Sequence, residues 1–209
     1  AGEKNKKFLS VINIFNKNSM APTLIVVYAA MIILFASINP LYVSLANIKS
    51  IFANLTIPGI LAIGLTAVML TGNFDLSISS TLGVAAIICA KLYNIEGLDV
   101  PMGVIIIAAL VAGAAIGAIN GFLVTVVGIN SIITTLGTLA VFRGFAYLFA
   151  TETARIYYKP FISMGRGYLF GNIPNTMVYF IVLLILVYLV LRFTKFGRDI
   201  YQVGANKEA

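Results

Sequence analysis

Long apolar runs without a charged residue alternate along the chain with short polar breaks. The charge-free runs are Asn18–Ile48, Ser50–Phe74, Leu76–Ala90, Val100–Phe142 and Asn172–Leu191. A helix needs about 20 residues to cross the hydrocarbon core of a bilayer. The fourth run is long enough for two such helices, and it breaks naturally at Gly128–Ser131. The pattern therefore predicts six transmembrane helices, near residues 20–38, 51–71, 76–93, 101–127, 132–150 and 173–191.

The amino-acid composition supports this interpretation and excludes other classes of protein. Of the 209 residues, 60% are hydrophobic and 10% are charged, and the mean hydropathy is +1.01. Soluble domains carry charge on roughly a quarter of their residues, so a soluble enzyme and a disordered chain are both excluded. The 14 Lys and Arg form no basic stripe that could neutralise nucleic-acid phosphates. The expected fold class is all-α, a polytopic membrane protein.

The residue types that build most enzyme sites are scarce. The chain has no histidine, and its one cysteine, Cys89, lies inside an apolar run. Neither a metal cluster, nor a pair of catalytic carboxylates, nor a Gly-Lys-Ser/Thr phosphate loop can be assembled from the sequence. We therefore expect no metal or cofactor in this chain, and transport rather than catalysis.

Basic residues set an expected orientation. Eight Lys and Arg lie in the two tails, and five lie on the opposite side of a six-span arrangement. This difference favours a cytoplasmic location for both tails. Residues 1–19 combine lysines with apolar residues at helical spacing, which predicts a basic tail with an interfacial amphipathic helix on membrane lipid. Contact with a partner subunit is the alternative for that helix.

Small residues recur along one stripe of the fourth predicted span. Gly113, Gly117 and Gly121 are spaced four residues apart, and such spacing lets two helices approach closely. Packing inside one bundle is the simpler interpretation, and a sliding or dimer interface is the alternative.

A cation interrupts the fifth predicted span. Arg143 lies about midway along it, and an arginine at membrane depth usually faces protein or a water-filled cavity. It could bind a polar solute or form part of a gate. A structural role is the alternative, either in a buried ion pair, for which Asp75 is the best acidic candidate, or in bonds to the backbone carbonyls of a broken helix.

A polar turn, Thr71–Ser77, separates the second and third predicted spans. Asp75 and Ser77 are both suited to cap a helix that starts at Leu76 or Ile78. Alternatively, the turn breaks a helix at membrane depth and faces a translocation pathway. The candidate path residues are Thr71, Asn73, Asp75, Ser77, Asn120 and Arg143.

Three segments together resemble the membrane permease subunit of bacterial ABC sugar importers of the ribose, xylose and galactose type. They are LTGNFDLS at Leu70–Ser77, TTLGTLAVFRG at Thr134–Gly144 and the charged tail Phe193–Ala209. The resemblance implies a permease that moves a monosaccharide, a ribose-like pentose or a related sugar, across the bacterial inner membrane. A separate ATPase subunit would bind the ATP and drive the transport. A secondary transporter or channel for a small polar solute is the alternative.

The resemblance also implies partners and roles for individual residues. The tail 193–209 matches the start of a cytoplasmic coupling segment that docks on the ATPase, with a short helix at the end of two glycine-hinged turns. The chain ends inside this segment, which implies a truncated protein. Other expected partners are a periplasmic or lipid-anchored sugar-binding protein and a second permease copy, and the loop Thr151–Gly171 is either a dock for the binding protein or simply solvated. The implied coupling residues are Phe196, Gly197, Arg198, Gly204, Asn206, Glu208 and Ala209.

Overall fold

The computed structural model describes residues 21–95, 99–150 and 158–205. The described residues form α-helices, one short 3-10 helix at Pro40–Val43 and one two-stranded hairpin. The N-terminal tail 1–19, with its expected amphipathic helix, lies outside the described residues. The helices are α1 (Ala21–Ile38), α2 (Leu45–Leu70), α3 (Ile78–Tyr93), α4 (Met102–Thr125), α5 (Ser131–Phe149), α6 (Lys159–Arg166), α7 (Asn175–Phe193) and α8 (Lys195–Ala205).

The all-α, polytopic membrane fold is confirmed. Helices α2, α4, α5 and α7 are long and apolar enough to cross a bilayer, and α1 and α3 are shorter apolar helices. Helix α2 runs through Pro58 without a break. It begins at Leu45, six residues before the predicted span, because the Ser44 hydroxyl accepts a hydrogen bond from Asn47 N at 3.2 Å and so caps it.

The described residues divide into two compact units, one up to Phe52 and one from Ala53 onward. In the first unit, Asn39 caps the 3-10 helix by accepting from Leu41 N at 3.0 Å. The rings of Phe35 and Tyr42 then pack with their centroids 5.3 Å apart. This contact ties the end of α1 to the 3-10 helix.

In the second unit, α3 packs most extensively against α4 and α5. The buried apolar side chains of this unit are Ala90, Ile105 and Ile116, and its buried polar side chains are more numerous. Large apolar side chains on the same helices are exposed. Lipid is as apolar as these side chains, so contacts between membrane helices depend on close packing and polar bonds. The buried polar residues are Thr56, Ser77, Ser80, Asn120, Ser131, Thr134 and Thr135.

Two ends of the second unit can be distinguished by their contacts. At one end, the α2–α3 turn meets the start of α5, where Phe74 N donates to Ser131 Oγ at 3.3 Å. At the other end, the rings of Tyr93 and Tyr158 lie 6.0 Å apart. We call these the turn end and the hairpin end, because the second also carries β1 (Tyr168–Leu169) and β2 (Ile173–Pro174).

Candidate functional site

The turn between α2 and α3 is held by local hydrogen bonds. Helix α2 closes with two tight bonds, from Thr71 N to Val68 O at 3.0 Å and from Gly72 N to Met69 O at 2.9 Å. Gly72 has a φ of 75°, a left-handed conformation that ends a helix without cost only at glycine. The Asn73 amide then donates back to the Thr71 hydroxyl at 3.2 Å. These bonds fix the path of the chain as it leaves α2.

Asp75, Ser77 and Asn120 form a buried relay of hydrogen bonds. Asp75 Oδ1 accepts from Ser77 N at 2.8 Å and from Ser77 Oγ at 2.6 Å. Ser77 Oγ in turn accepts from Asn120 Nδ2 at 2.8 Å. Ser77 is fully buried and Asn120 is 6% exposed. The relay therefore joins the turn and the start of α3 to the carboxyl-terminal part of α4.

The relay corrects the predicted capping of α3. The helix starts at Ile78, but the Ser77 side chain makes no capping hydrogen bond. Its Oγ accepts from Asn120 Nδ2 and not from a backbone amide of α3, so the prediction that the Ser77 side chain caps α3 is wrong. The Ser77 carbonyl instead accepts from Ser80 N at 2.9 Å and from Thr81 N at 3.0 Å.

Helix α5 holds the same turn from a second direction. Ser131 Oγ accepts from Phe74 N at 3.3 Å, and Thr135 Oγ1 lies 3.5 Å from Phe74 O while it donates to Ser131 O at 2.7 Å. Ser131 thus satisfies the Phe74 amide, and the Thr135 hydroxyl lies near the Phe74 carbonyl while its one proton goes to Ser131 O. Neither residue stands out in the sequence, because a hydroxyl in an apolar run gives no sign of a partner about 60 residues away.

Two buried polar atoms beside the relay have no hydrogen-bond partner among the described residues. They are Asn120 Oδ1 and Thr134 Oγ1, and both residues are 6% exposed. The relay fixes the orientation of the Asn120 amide, because Ser77 Oγ has given its proton to Asp75 and can only accept. A buried polar atom without a partner costs free energy.

Arg143 is not part of this cluster. It lies eight residues beyond Thr135 on α5, which places it about 12 Å farther along the helix axis. Its side chain is exposed in the second unit, and Asp75 bonds to Ser77 instead. The structure therefore does not bring the two predicted ion-pair partners together.

The small-residue stripe on α4 meets its neighbour at one position. A Cβ at Gly113 would lie 3.9 Å from Thr81 Cγ2, which places this glycine against α3. A Cβ at Gly117 or Gly121 would meet nothing within 4 Å among the described residues. Close packing at the last two glycines stays a prediction.

Helix α8 carries the described part of the predicted coupling segment at the turn end. A Cβ on Gly197 would overlap the Leu191 carbonyl, and one on Gly204 would overlap the Leu70 carbonyl oxygen. Both glycines lie inside α8, so the prediction that they form two hinged turns leading to a short helix is wrong for these residues. The glycines instead permit close contact with α7 and with the end of α2. Phe196 is 65% exposed, Arg198 is also exposed, and Asn206, Glu208 and Ala209 lie outside the described residues.

The hairpin end presents two cations and an exposed aromatic ring. Lys159 and Arg166 are the first and last residues of α6. Phe170 stands at the tip of the hairpin with a φ of 51° and is 87% exposed. A bulky residue with positive φ is a rare conformation. Arg155, the third cation of the predicted dock, lies outside the described residues.

An apolar groove of about 460 Å³ lies between α3, α4 and α5. Ile88, Ala115 and Phe142 line it, and Lys91 is its charged residue. A sugar site needs several convergent hydrogen-bonding groups. The groove lacks them, so it does not qualify as a sugar site.

Comparison with known proteins places the sequence of this chain in a family. Residues 47–209 match the sequence family described as branched-chain amino acid transport system, permease component. This range contains the turn, the relay, Arg143 and α8. None of the solved structures compared matches the chain.

The similar proteins are permease proteins named for several different transported compounds. The chain is 38% identical to an autoinducer 2 import system permease protein of Enterobacter sp. (strain 638), over 83% of this chain and 50% of that protein. It is 30% identical to a ribose import permease protein of Haemophilus influenzae, over 87% and 58%. It is 31% identical to an L-arabinose transport system permease protein of Escherichia coli (strain K12), over 89% and 56%. The chain thus spans about half the length of the curated relatives it matches.

Proposed function

Because the chain belongs to the family of permease components of branched-chain amino acid transport systems, we propose that it is part of the membrane permease of an ABC importer. Its substrate would be a monosaccharide, a ribose-like pentose or a related sugar. The similar proteins named for ribose, L-arabinose and autoinducer 2 support this class of substrate. They do not single out one sugar, because proteins named for different compounds are similar to this chain at comparable sequence identity.

The exposed, amphipathic surface of helix α8 is the main structural support for this proposal. The helix lies at the end of α7, with exposed Phe196, Tyr201 and Val203. Lys195, Arg198 and Asp199 add charge to the same short helix. A helix with exposed aromatic residues and mixed charge, held against the bundle by two glycines, suits docking to a soluble subunit. A separate ATPase subunit is the proposed partner, and ATP would bind there.

The sugar path would pass the polar side chains at the turn end and Arg143. Two sets of hydrogen-bonded side chains at the turn end support this path: Asn73 with Thr71, and Asp75 and Asn120 with Ser77. Arg143 would lie farther along the same path. An arginine in a membrane helix faces protein or a water-filled cavity, and its exposure in this chain leaves it accessible to either.

We propose that the turn end faces the cytoplasm of the bacterial inner membrane. Arg192, Lys195 and Arg198 flank the last membrane helix on this side, as expected for a cytoplasmic boundary. The N-terminus would then also be cytoplasmic, with its basic tail on membrane lipid. The hairpin end would face the periplasm, where Lys159, Arg166 and Phe170 would receive the sugar-binding protein. A second permease copy is proposed to complete the transporter.

Sugar uptake by the full-length protein with its ATPase and binding protein tests this function. We expect uptake into proteoliposomes to require ATP and to stop when the P-loop lysine of the ATPase is replaced. A secondary transporter, the alternative, would continue without ATP and stop when an uncoupler dissipates the ion gradient. That second result would overturn the proposal. A panel of pentoses, hexoses and autoinducer 2 in the same assay would identify the substrate.

A further inference from the structure

Gly204 brings α8 into direct contact with the carboxyl end of α2. A Cβ at position 204 would overlap the Leu70 carbonyl oxygen and would lie 3.6 Å from Thr71 Cα. Leu70 is the last residue of α2, and Thr71 is the first residue of the turn. The glycine therefore allows the α8 backbone to pack directly against the end of α2, where the turn begins.

The turn that follows has little freedom to deform. Hydrogen bonds tie Thr71 and Gly72 to the end of α2, and Asn73 bonds to Thr71. Both backbone groups of Phe74 face hydroxyls of α5. Asp75 holds both the amide and the hydroxyl of Ser77. A displacement at Leu70 cannot be absorbed by a loose loop, because close-packed and bonded segments transmit strain.

The far side of the turn is joined to three helices. Ser77 leads directly into α3, and its hydroxyl bonds to Asn120 of α4 at 2.8 Å. Ser131 and Thr135 are the first and fifth residues of α5. The exposed parts of α8 are thus separated from α3, α4 and α5 by one helix end and one bonded turn.

From this arrangement, we propose that the segment Leu70–Ser77 is the mechanical link through which α8 moves α3, α4 and α5. Gly204 and Ser77 are its positioning residues, one at each end. Asp75 acts in the link as an acceptor of hydrogen bonds, a role that requires its Oδ1 oxygen and not its charge. The inference rests on the proposed docking of the ATPase at α8, and it assigns the residues that carry the motion onward.

The test measures the number of sugars transported per ATP hydrolysed, in proteoliposomes of the full-length permease with its ATPase and binding protein. We expect Gly204→Ala and Ser77→Ala to lower this ratio at least about fivefold, the lower end of typical coupling effects, while ATP hydrolysis continues. Gly137→Ala and Ser79→Ala are the matched controls. Gly137 has open space for a Cβ, and Ser79 is exposed, so both should behave as wild type.

Three further variants separate a link from a merely structural contact. Asp75→Asn keeps an oxygen that can accept both bonds from Ser77, so we expect it to retain more of the ratio than Asp75→Leu, which removes the acceptor. The double variant Gly204→Ala with Ser77→Ala should be no worse than the more severe single variant, because both interrupt one link.

Several results would overturn the inference. They are a wild-type ratio in both Gly204→Ala and Ser77→Ala, independent losses that multiply in the double variant, or a loss in Asp75→Asn equal to that in Asp75→Leu. If Gly204→Ala fails to assemble, the Ser77 and Asp75 variants decide alone. If the wild-type permease fails to bind the ATPase, both the proposed function and the proposed link are refuted. A normal wild-type ratio with unaffected variants removes the link only.

Discussion

Neighbouring threonines near the start of α5 differ in how well their hydroxyls are satisfied. Thr135 Oγ1 donates to Ser131 O at 2.7 Å, whereas Thr134 Oγ1 has no partner among the described residues. Both side chains are buried, at 2% and 6% exposure. Valine has nearly the same shape as threonine and lacks the hydroxyl. The pair therefore isolates the value of one buried hydrogen bond.

We predict opposite effects for the two valine substitutions. Thr135→Val should lower the free energy of unfolding by about 1 kcal/mol, the net worth of a typical hydrogen bond. Thr134→Val should leave it unchanged or raise it, because no partner is lost and a buried hydroxyl is removed. Thermal melting of the purified protein in detergent compares the two. Equal destabilisation by both substitutions would contradict the prediction and would indicate a partner for Thr134 in the complete protein.

At this scale the sequence predicts residue types better than partners. Asp75, Ser77 and Asn120 stand out as polar residues near or within apolar runs, and the structure brings them together. Ser131 and Thr135 do not stand out, since their contact with Phe74 depends on tertiary packing. The suggested pair of Arg143 and Asp75 failed for a related reason: opposite charges in a sequence do not reveal the distance between them.

Helices α2 and α7 pack through a glycine. A Cβ at Gly59 would lie 2.7 Å from Phe180 Cε2, which is closer than van der Waals contact allows. A Cβ at Gly64, one and a half turns farther along α2, would lie 3.7 Å from Ile78 Cδ1, an ordinary contact. The two glycines therefore offer a matched comparison on one helix.

We predict that Gly59→Ala destabilises the protein and Gly64→Ala does not. The added methyl group at position 59 must displace the Phe180 ring, and overpacking of this kind costs about 1–3 kcal/mol. At position 64, alanine should gain up to about 1 kcal/mol from its higher helix propensity. Melting temperatures in detergent give the comparison. Combining Gly59→Ala with Phe180→Leu should recover part of the loss, and the absence of any recovery would refute the proposed clash.

Exposed phenylalanines at the two ends of the second unit give a test of partner docking. Phe196 on α8 and Phe170 on the hairpin are 65% and 87% exposed, and the 19 residues of α7 between them span about 28 Å. We expect Phe196→Ala to weaken ATPase binding by about 2 kcal/mol, roughly 30-fold in affinity. Phe170→Ala should instead weaken binding of the sugar-binding protein. Pull-downs of each variant with each partner check this division. It would be contradicted if both variants lost binding to the same partner.

Element ends follow closely from charges and polar breaks, with one exception. The predicted spans and the helices differ by two residues or fewer at every end except the start of α2. There, Lys49 suggested a boundary, but a lysine side chain can extend from a helix to reach water, and Ser44 sets the start instead. Helix α6 and the hairpin were not predicted, because neither contains the long apolar run on which the analysis depended.

The distribution of charge over the whole molecule makes its orientation testable. Arg192, Lys195 and Arg198 lie at the turn end, while Phe170 marks the opposite end. Basic residues close to a membrane helix are retained in the cytoplasm. The chain contains a single cysteine, Cys89, half-buried in α3. Replacing it with serine leaves a background in which single cysteines report the side they face.

We expect a membrane-impermeant maleimide to label Phe170→Cys in intact cells and Gln202→Cys only after the inner membrane is opened. Both positions are exposed, so a difference in labelling reports membrane side and not burial. The Cys89→Ser parent, which lacks the Cys89 thiol, measures the background. Labelling of Gln202→Cys in intact cells would place α8 in the periplasm. An ATPase could not reach α8 there, so the proposed coupling would be lost together with the orientation.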